Sequence, residues 1–213
     1  MRRLVVEEFV SLDGVMQGPG GPDEDRDGGF EHGGWVVPFI EDLLAPAGEE
    51  AGELGALLLG RRTYEIFAAS WPSVGDDNPV AARFNRVPKY VVSRTLGRAD
   101  WEPYTVISGD VAAAVAELKR APGDGEVQVH GSSELIRTLQ QHDLIDLYRV
   151  KIFPVVIGSG KRLFGAGIPP GELQLVASST SPKGVTMSTY ARAGALRTGF
   201  YGAEFDNSSE RDD

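Results

Sequence analysis

The sequence predicts an α/β fold: a three-layer α/β/α arrangement around a mainly parallel sheet with an antiparallel C-terminal hairpin. Short apolar runs such as residues 56–59 alternate with segments of helical periodicity, which is typical of a parallel sheet covered by helices on both faces. Near the C-terminus, two segments of alternating polarity flank the turn Ser181–Gly184. That pattern indicates a β-hairpin, and hence antiparallel strands at one edge.

In the N-terminal half, residues 4–10 are rich in branched and aromatic side chains and predict the first strand. Residues 14–34 contain eight glycines and several acids, so they predict a long loop. Apolar residues recur at helical spacing over 36–44, and the apolar run at 56–59 predicts a buried strand. Residues 64–71 then place aromatic side chains on one face of a helix.

The alternation continues towards the C-terminus. Strands are predicted at 89–92, 105–107, 127–129 and 147–156, and helices at 111–118 and 135–139, the first of them with Asp110 as its N-cap. The final hairpin follows over 173–189. We expect a single domain over residues 1–193, and a C-terminal extension over 194–213 whose last residues are disordered.

Composition excludes several functional classes. The chain of 213 residues has no cysteine, which removes disulfides and cysteine-rich zinc sites and fits a reducing cytoplasm. The net charge of −10 is concentrated in residues 1–55, with 13 acids and 3 bases, and this argues against a nucleic-acid partner. No apolar run approaches the roughly 20 residues of a membrane span, and the first residues lack the apolar segment of a signal peptide, so we expect none.

Familiar catalytic and nucleotide motifs are absent. A P-loop ending at Lys161 would need a glycine where Val155 stands, and Ser or Thr where Arg162 stands. Leu163 occupies the position of the last glycine of a dinucleotide fingerprint. The three histidines match no zinc spacing, and no Gly-x-Ser-x-Gly element occurs.

Three junctions between a strand and the following segment are the most informative features. They lie at residues 60–65, 91–95 and 129–135, and each offers arginines, hydroxyls or backbone N–H groups where a buried strand ends. These are the groups that bind anions at helix starts. Their repetition predicts one long phosphate-bearing ligand across the edge of the sheet.

Together the junctions resemble those of the dihydrofolate-reductase-like fold, and especially the reductase domain of riboflavin biosynthesis, the C-terminal half of the bifunctional deaminase–reductase. Ser11–Gly14 ends the first strand as in that family, and Leu59–Glu65 is similar to its Gly-Arg-x-Thr-Tyr/Trp-Glu element. Phe153–Phe164 is similar to its Pro-x-x-x-Gly-x-Gly-x-x-Leu-Phe segment, and the hairpin turn fits too. The resemblance spans about residues 2–192, as in a stand-alone bacterial relative.

The resemblance implies NADPH as the cofactor. The implied phosphate ligands are Gly60, Arg61, Arg62 and Thr63, with Ser93 and Arg94 near the 2′-phosphate, and Gly131, Ser132, Ser133, Glu134 and Leu135 at the pyrophosphate. Physical chemistry favours arginine for a dianionic phosphate, because the guanidinium fork forms paired hydrogen bonds. The alternative is that these arginines are surface residues that pair with acids such as Glu65 or Asp76.

Two departures from the family pattern concern the substrate. The riboflavin-pathway reductase carries Glu-Gly-Gly at the third junction, whereas this chain has His130, Gly131 and Ser132, so a pocket glutamate is missing. True dihydrofolate reductases place a carboxylate on the first helix. Glu41 and Asp42 lie there without the surrounding pattern, so we expect them to be surface residues.

Asp13 is the acid that we expect to face the substrate, because it ends a buried strand, where α/β folds place their ligands. It is assigned both a catalytic and a substrate-binding role, the alternative being that it caps the turn at Gly14. Lys161 and Arg162 either bind a substrate phosphate or decorate a loop. Trp35 and Phe39 are expected in the core.

The sequence therefore predicts a cytoplasmic NADPH-dependent reductase of a pyrimidine- or pterin-like heterocycle, with no metal. Its partner is a small-molecule substrate, with neither nucleic acid nor membrane, and we expect a homodimer. Two alternatives stay open: a nucleotide-binding module of the same fold without hydride transfer, and a reductase that uses a flavin or deazaflavin. The substrate itself is not predicted.

Overall fold

A computed structural model describes residues 1–44, 52–75 and 77–199. Its strands form one sheet in the order β4-β3-β2-β5-β1-β6-β8-β7. They are β1 Leu4–Ser11, β2 Leu54–Gly60, β3 Lys89–Val92, β4 Tyr104–Ile107, β5 Glu126–Val129, β6 Leu147–Phe153, β7 Glu172–Thr180 and β8 Thr186–Gly194. Strands β1 to β6 pair in parallel, whereas β8 pairs antiparallel with both β6 and β7. The predicted fold class is thus confirmed.

The described helices follow the predicted alternation, with one addition. They are α1 Ile40–Leu44, α2 Arg61–Ser70, α3 Pro79–Arg86, α4 Val111–Arg120 and α5 Ser133–Gln141. Helix α3 was not predicted, although its start is well formed: the Asn78 side chain accepts hydrogen bonds from the N–H groups of Val80 and Ala81, and Pro79 occupies the first turn. No helix among the described residues is long and apolar enough to cross a membrane.

Hydrophobic clusters cover both faces of the sheet. One face packs against α4 and α5, in a cluster that includes Leu58, Val129 and Ile136. The opposite face packs Leu57 and Leu59 against the aromatic side chains of α2 and α3. Because both faces of β2 are covered, its sequence is continuously apolar rather than alternating.

Two boundaries differ from the predicted ones. Strand β6 ends at Phe153 instead of residue 156, because Pro154 has no N–H to donate to a neighbouring strand. Strand β8 reaches Gly194, one residue past the expected domain boundary. The predicted disorder of the last residues concerns 200–213, which lie outside the described part of the chain.

Candidate active site

A cavity of about 420 Å³ opens at the carboxyl end of the parallel strands. It lies between the start of α2, the start of α5 and the loop over residues 14–34. Its wall comprises Gly60, Arg61, Arg62, Thr63, Gly131, Ser132, Ser133, Glu134 and Leu135 from the first and third junctions, and Met16, Gln17, Gly18, Pro19, Glu24, Asp25, Asp27 and Lys161 from the loops. The structure thus brings the first and third predicted junctions together, and the second junction contributes Val92 to the same cavity.

Two of the helices that begin at this cavity, α2 and α5, have no side-chain cap. Gly60 precedes α2 and Ser132 precedes α5, and no side chain at either position accepts a hydrogen bond from the first turn of its helix. Helix α4 also begins at the cavity wall, with Val111, but Asp110 caps it, and Asn78 caps α3. Uncapped helix starts present N–H groups and the positive end of the helix dipole, so both are suited to anions.

The Ser132 hydroxyl ties the two helix starts together. It accepts a hydrogen bond from the Gly60 N–H at 2.9 Å and lies 3.0 Å from the Thr63 hydroxyl. It also contacts the His130 carbonyl oxygen at 2.9 Å. This engagement explains why Ser132, although placed at an N-cap position, leaves the α5 N–H groups uncapped.

Gly131 allows the close approach of the two junctions. Its φ is +60°, a conformation that L side chains rarely adopt. A Cβ at this position would lie 3.2 Å from Thr63 Cγ2, which is tighter than ordinary packing. A side chain here would therefore strain the backbone and push the start of α2 away from the start of α5.

The second junction contributes Val92 to the cavity wall, and its Thr95 contacts Arg61. The exposed Arg61 guanidinium donates to Thr95 Oγ1 at 2.6 Å and to Glu65 Oε1 at 2.7 Å. Ser93 and Arg94 do not line the cavity. The Ser93 hydroxyl accepts hydrogen bonds from two N–H groups of its own turn, and the Arg94 side chain is exposed.

The loop over residues 14–34 brings carboxylates to the remaining cations of the cavity. Lys161 Nζ donates to Asp25 at 2.6 Å and to Asp27 at 2.8 Å. Arg62 pairs with the same two acids, at 3.1 Å from Asp25. Hydrogen bonds from Arg62 and then from Lys161 lower the pKa of Asp27 to about 2. Arg62 and Lys161 therefore line the cavity, where acids of the same chain neutralise them, and their phosphate-binding roles stay predictions.

Asp13 is not among the residues that line this cavity, and its expected position facing the substrate stays a prediction. Its carboxylate accepts hydrogen bonds from the Ser11 hydroxyl at 2.6 Å, from the Ile157 N–H at 3.1 Å and from the Gly158 N–H at 2.8 Å. The Ser11 contact, followed by these backbone bonds, holds the pKa of Asp13 well below its usual range. The side chain is oriented by a loop that arrives about 140 residues later, which the strand pattern does not reveal.

Arg162 belongs with Asp13 rather than with the cavity. Its guanidinium donates to the backbone oxygen of Asp13 and, at 3.0 Å, to that of Gly158.

The two acids on α1 also have structural partners. Glu41 pairs with Lys183 at 2.9 Å, and Asp42 accepts a hydrogen bond from the Ser181 hydroxyl at 2.5 Å, so both join α1 to the C-terminal hairpin turn.

The sequence pattern alone did not single out two adjacent acids of β1, Glu7 and Glu8. Glu8 is 4% exposed, and its Oε1 has no hydrogen-bond partner among the described residues. Burial raises its pKa well above the ordinary value, against the opposing effect of the Gly131 N–H. Glu7 points to the other sheet face. The detectable signal was a pair of acids inside an apolar strand, since neighbouring strand residues face opposite sides.

Comparison with known protein families gives a match over most of the chain. Residues 2–187 match the RibD C-terminal domain. The uncharacterized protein YyaP of Bacillus subtilis (strain 168) is 28% identical over 196 residues, which cover 89% of this chain and 94% of YyaP.

Solved structures show the same fold. A putative riboflavin biosynthesis protein from Shewanella sp. PV-4 superposes with a TM-score of 0.61 and 19% identity, covering 90% of this chain and 99% of that one. Dihydrofolate reductase from Enterococcus faecalis, solved with NADP(H), gives a TM-score of 0.54 and 14% identity, covering 89% of this chain and 96% of that one. At these identities the similarity establishes a dihydrofolate-reductase-like fold.

Proposed function

The chain belongs to the RibD C-terminal domain family, and on that premise we propose that it is an NADPH-dependent reductase. We propose as its substrate a flat, polar heterocycle of the pyrimidine or pterin class. The reaction resembles that of the riboflavin-pathway reductase. The reductase character of the family supports this proposal.

One structural observation supports the cofactor most directly. The starts of α2 and α5 are both uncapped, both line the same cavity, and Arg61 stands beside them. A long ligand with several phosphates would satisfy N–H groups that no side-chain cap in the described structure engages. The missing side chain at Gly131 keeps these two helix starts close, because a Cβ there would crowd Thr63.

Different residues would then bind different parts of the cofactor. The first-turn N–H groups of α5, from Ser133 to Leu135, would hold the pyrophosphate. Arg61 would bind the 2′-phosphate, with Ser93 and Arg94 close by through the contact between Arg61 and Thr95. NADPH, when bound, supplies a hydride for a C=N or C=O carbon. The task of the protein is to orient the two rings and to exclude water.

The proposal is tested by cofactor titration, with protein fluorescence as the readout. NADPH should bind more tightly than NADH. Arg61→Gln should weaken NADPH binding by about 1.5–3 kcal/mol, tenfold or more in affinity, because a charge-assisted pair is lost. NADH affinity should change little, and Arg94→Ala should erode the preference in the same direction.

Arg98→Gln is the matched control, because Arg98 is almost fully exposed and lies away from the cavity wall. It should leave both affinities unchanged. An equal loss for NADPH and NADH in Arg61→Gln would contradict the assignment of the 2′-phosphate. Failure of both dinucleotides to bind the wild-type protein would contradict the proposed cofactor.

A nucleotide-binding module without hydride transfer is the second candidate. It is favoured by the position of Asp13, because the acid expected to assist the chemistry lies outside the cavity. NADPH oxidation in the presence of pyrimidines and pterins distinguishes a reductase from such a module. A visible chromophore in the purified protein would instead indicate a flavin or deazaflavin enzyme.

We also propose a homodimer. The supporting observation is the outer strand β7, which exposes Leu173, Leu175 and Val176 at the edge of the sheet. Exposed apolar edge strands favour pairing with another chain. Light scattering after size-exclusion chromatography measures the mass, and a monomer at all concentrations would contradict this proposal.

A further inference from the structure

On one face of the sheet, the side chains change from apolar to polar across the centre. Strands β2 and β3 cover this face with apolar side chains under α2 and α3. Strands β5, β1 and β6 instead place charged and polar side chains on the same face, as the paired residues of each ladder show. The members of this polar strip are Glu7, Glu126, Gln128, His130, Arg149 and Lys151.

In one half of the polar strip, the charged side chains pair with each other and with Arg3. Arg149 donates two hydrogen bonds to the carboxylate of Glu126, at 2.6 and 2.9 Å, and Arg3 reaches the same carboxylate at 2.8 Å. Such paired geometry is what a buried charge requires. The charges of this half are therefore paired with each other, although the buried Arg149 Nε has no hydrogen-bond partner among the described residues.

Glu7 and Lys151, in the other half, have no such hydrogen bonds. Their side chains are only 26% and 23% exposed, yet the distance between Lys151 Nζ and Glu7 Oε1 is 3.7 Å, too long for a hydrogen bond. Neither side chain forms a hydrogen bond with any other described residue. Charges that are mostly shielded from water gain from hydrogen bonds, and within the described residues these two keep donor and acceptor capacity that a ligand could use.

The pair lies beside the cavity. Val6 pairs with Val129, so Glu7 is level with His130 one residue further along both strands. The next residue, Gly131, lines the cavity, as does Phe67, whose ring centroid is 6.3 Å from that of His130. Lys151 Nζ lies 5.2 Å from the centroid of the Phe9 ring, so an aromatic surface adjoins the charges.

We propose that Glu7 and Lys151 together recognise the edge of an uncharged amino-oxo heterocycle, which extends the proposed reductase function to its substrate. The Glu7 carboxylate accepts two neighbouring N–H groups of such a ring, and the Lys151 ammonium donates to its carbonyl oxygen. Phe9, whose ring also packs against Phe153, lies beside the pair and would border the bound ring. The pair has no net charge, so it selects the hydrogen-bonding pattern of the ring and does not require a substrate phosphate.

Calorimetric titration of the full-length protein with pterin and with diaminouracil tests this inference. Each compound is titrated with and without saturating NADPH. The structure predicts binding to the wild type and at least a tenfold loss of affinity in Glu7→Gln and in Lys151→Met. Glu117→Gln and Lys183→Met change the same residue types at exposed positions away from the pair and should bind like the wild type.

Failure of this inference is distinguishable from failure of the proposed cofactor. If NADPH binds normally while both strip variants bind the heterocycles as the wild type does, the recognition pair is wrong and the cofactor assignment stands. Absence of heterocycle binding to the wild type also overturns the pair. If the heterocycles bind as predicted without NADPH while NADPH itself does not bind, the pair is supported and the cofactor is wrong.

A direct readout avoids dependence on the folding of the variants. The chain contains five lysines, so ¹³C labelling of the lysine ε-carbons gives a spectrum of few signals. Addition of pterin to the wild-type protein should shift the Lys151 signal most. The signals of Lys89 and Lys119, which donate hydrogen bonds to backbone oxygens elsewhere, should stay in place. A spectrum in which the Lys151 signal does not move would overturn the inference.

Discussion

Replacing Ser132 by alanine tests whether one hydroxyl holds the two helix starts at the cavity. Ser132 is 6% exposed, and its oxygen is within 3.0 Å of the Gly60 N–H, the Thr63 hydroxyl and the His130 carbonyl oxygen. Ser132→Ala removes these interactions without adding bulk. The Gly60 N–H then loses its acceptor in a partly buried setting.

The magnitude follows from the groups left unpaired. A typical hydrogen bond contributes about 1 kcal/mol net, and an unsatisfied buried donor costs about 1–3 kcal/mol. Since water reaches part of this site, we expect Ser132→Ala to lower the free energy of unfolding by about 2–3 kcal/mol. NADPH affinity should also fall, because α2 and α5 lose the contact that sets their separation.

Urea denaturation and cofactor titration measure the two effects. Ser133→Ala is the control: this neighbour is half-buried, and its hydroxyl makes no hydrogen bond within the described residues. It should alter stability by less than about 0.5 kcal/mol, and it should leave NADPH affinity intact if α5 binds phosphate through backbone N–H groups. Equal effects of the two substitutions would refute the linking role of Ser132.

Two further predictions concern the acids of β1 and of the turn that follows it. Asp13→Asn should lower stability at neutral pH and leave turnover unchanged. The pKa of Asp13 in the folded state lies below the unfolded value of about 3.9, so the ionised Asp13 stabilises the wild type above that pH and this stabilisation is lost on acidification. A fall in turnover without a loss of stability would restore Asp13 as a catalytic group. Glu8→Gln should become more stable than the wild type as pH rises above about 4.3. The pKa of Glu8 is raised in the folded state, so the wild type loses free energy of unfolding as the pH rises past the unfolded pKa. Thermal unfolding followed from pH 4 to pH 8 checks this, with Glu117→Gln as the control, and a difference from the wild type that does not vary with pH would contradict it.

Local periodicity was enough to predict most of the fold. Apolar runs and helical spacing depend on burial, and burial acts along each element separately. Helix α3 was not predicted because the helix is short and buries only Ala81 and Phe84, although the Asn78–Pro79 start was a usable signal. The end of β6 was placed too late because apolar side chains continue past Pro154, whereas pairing does not.

The candidate site was predicted less completely, because side-chain direction depends on distant contacts. The first and third junctions could be predicted, since strand ends of a parallel sheet share one edge. Asp13 could not, because its orientation is set by N–H groups of Ile157 and Gly158. The engagement of Arg62 and Lys161 by loop acids likewise requires the loop path, which a glycine-rich sequence leaves open.

The acidic loop changes which groups are best placed to recognise an anion. Of the three cations that line the cavity in the described residues, Arg62 and Lys161 already share Asp25 and Asp27. A phosphate at either cation would have to displace a carboxylate or be repelled by it. No described carboxylate accepts a hydrogen bond from the N–H groups at the starts of α2 and α5, although Glu134 lies in the first turn of α5. Among the described residues, Arg61 has a single carboxylate partner, Glu65 of its own helix, and none from the loop. Anion binding is therefore better assigned to the helix starts and Arg61 than to Arg62 and Lys161, whose pairing with Asp25 and Asp27 instead anchors the loop over the cavity.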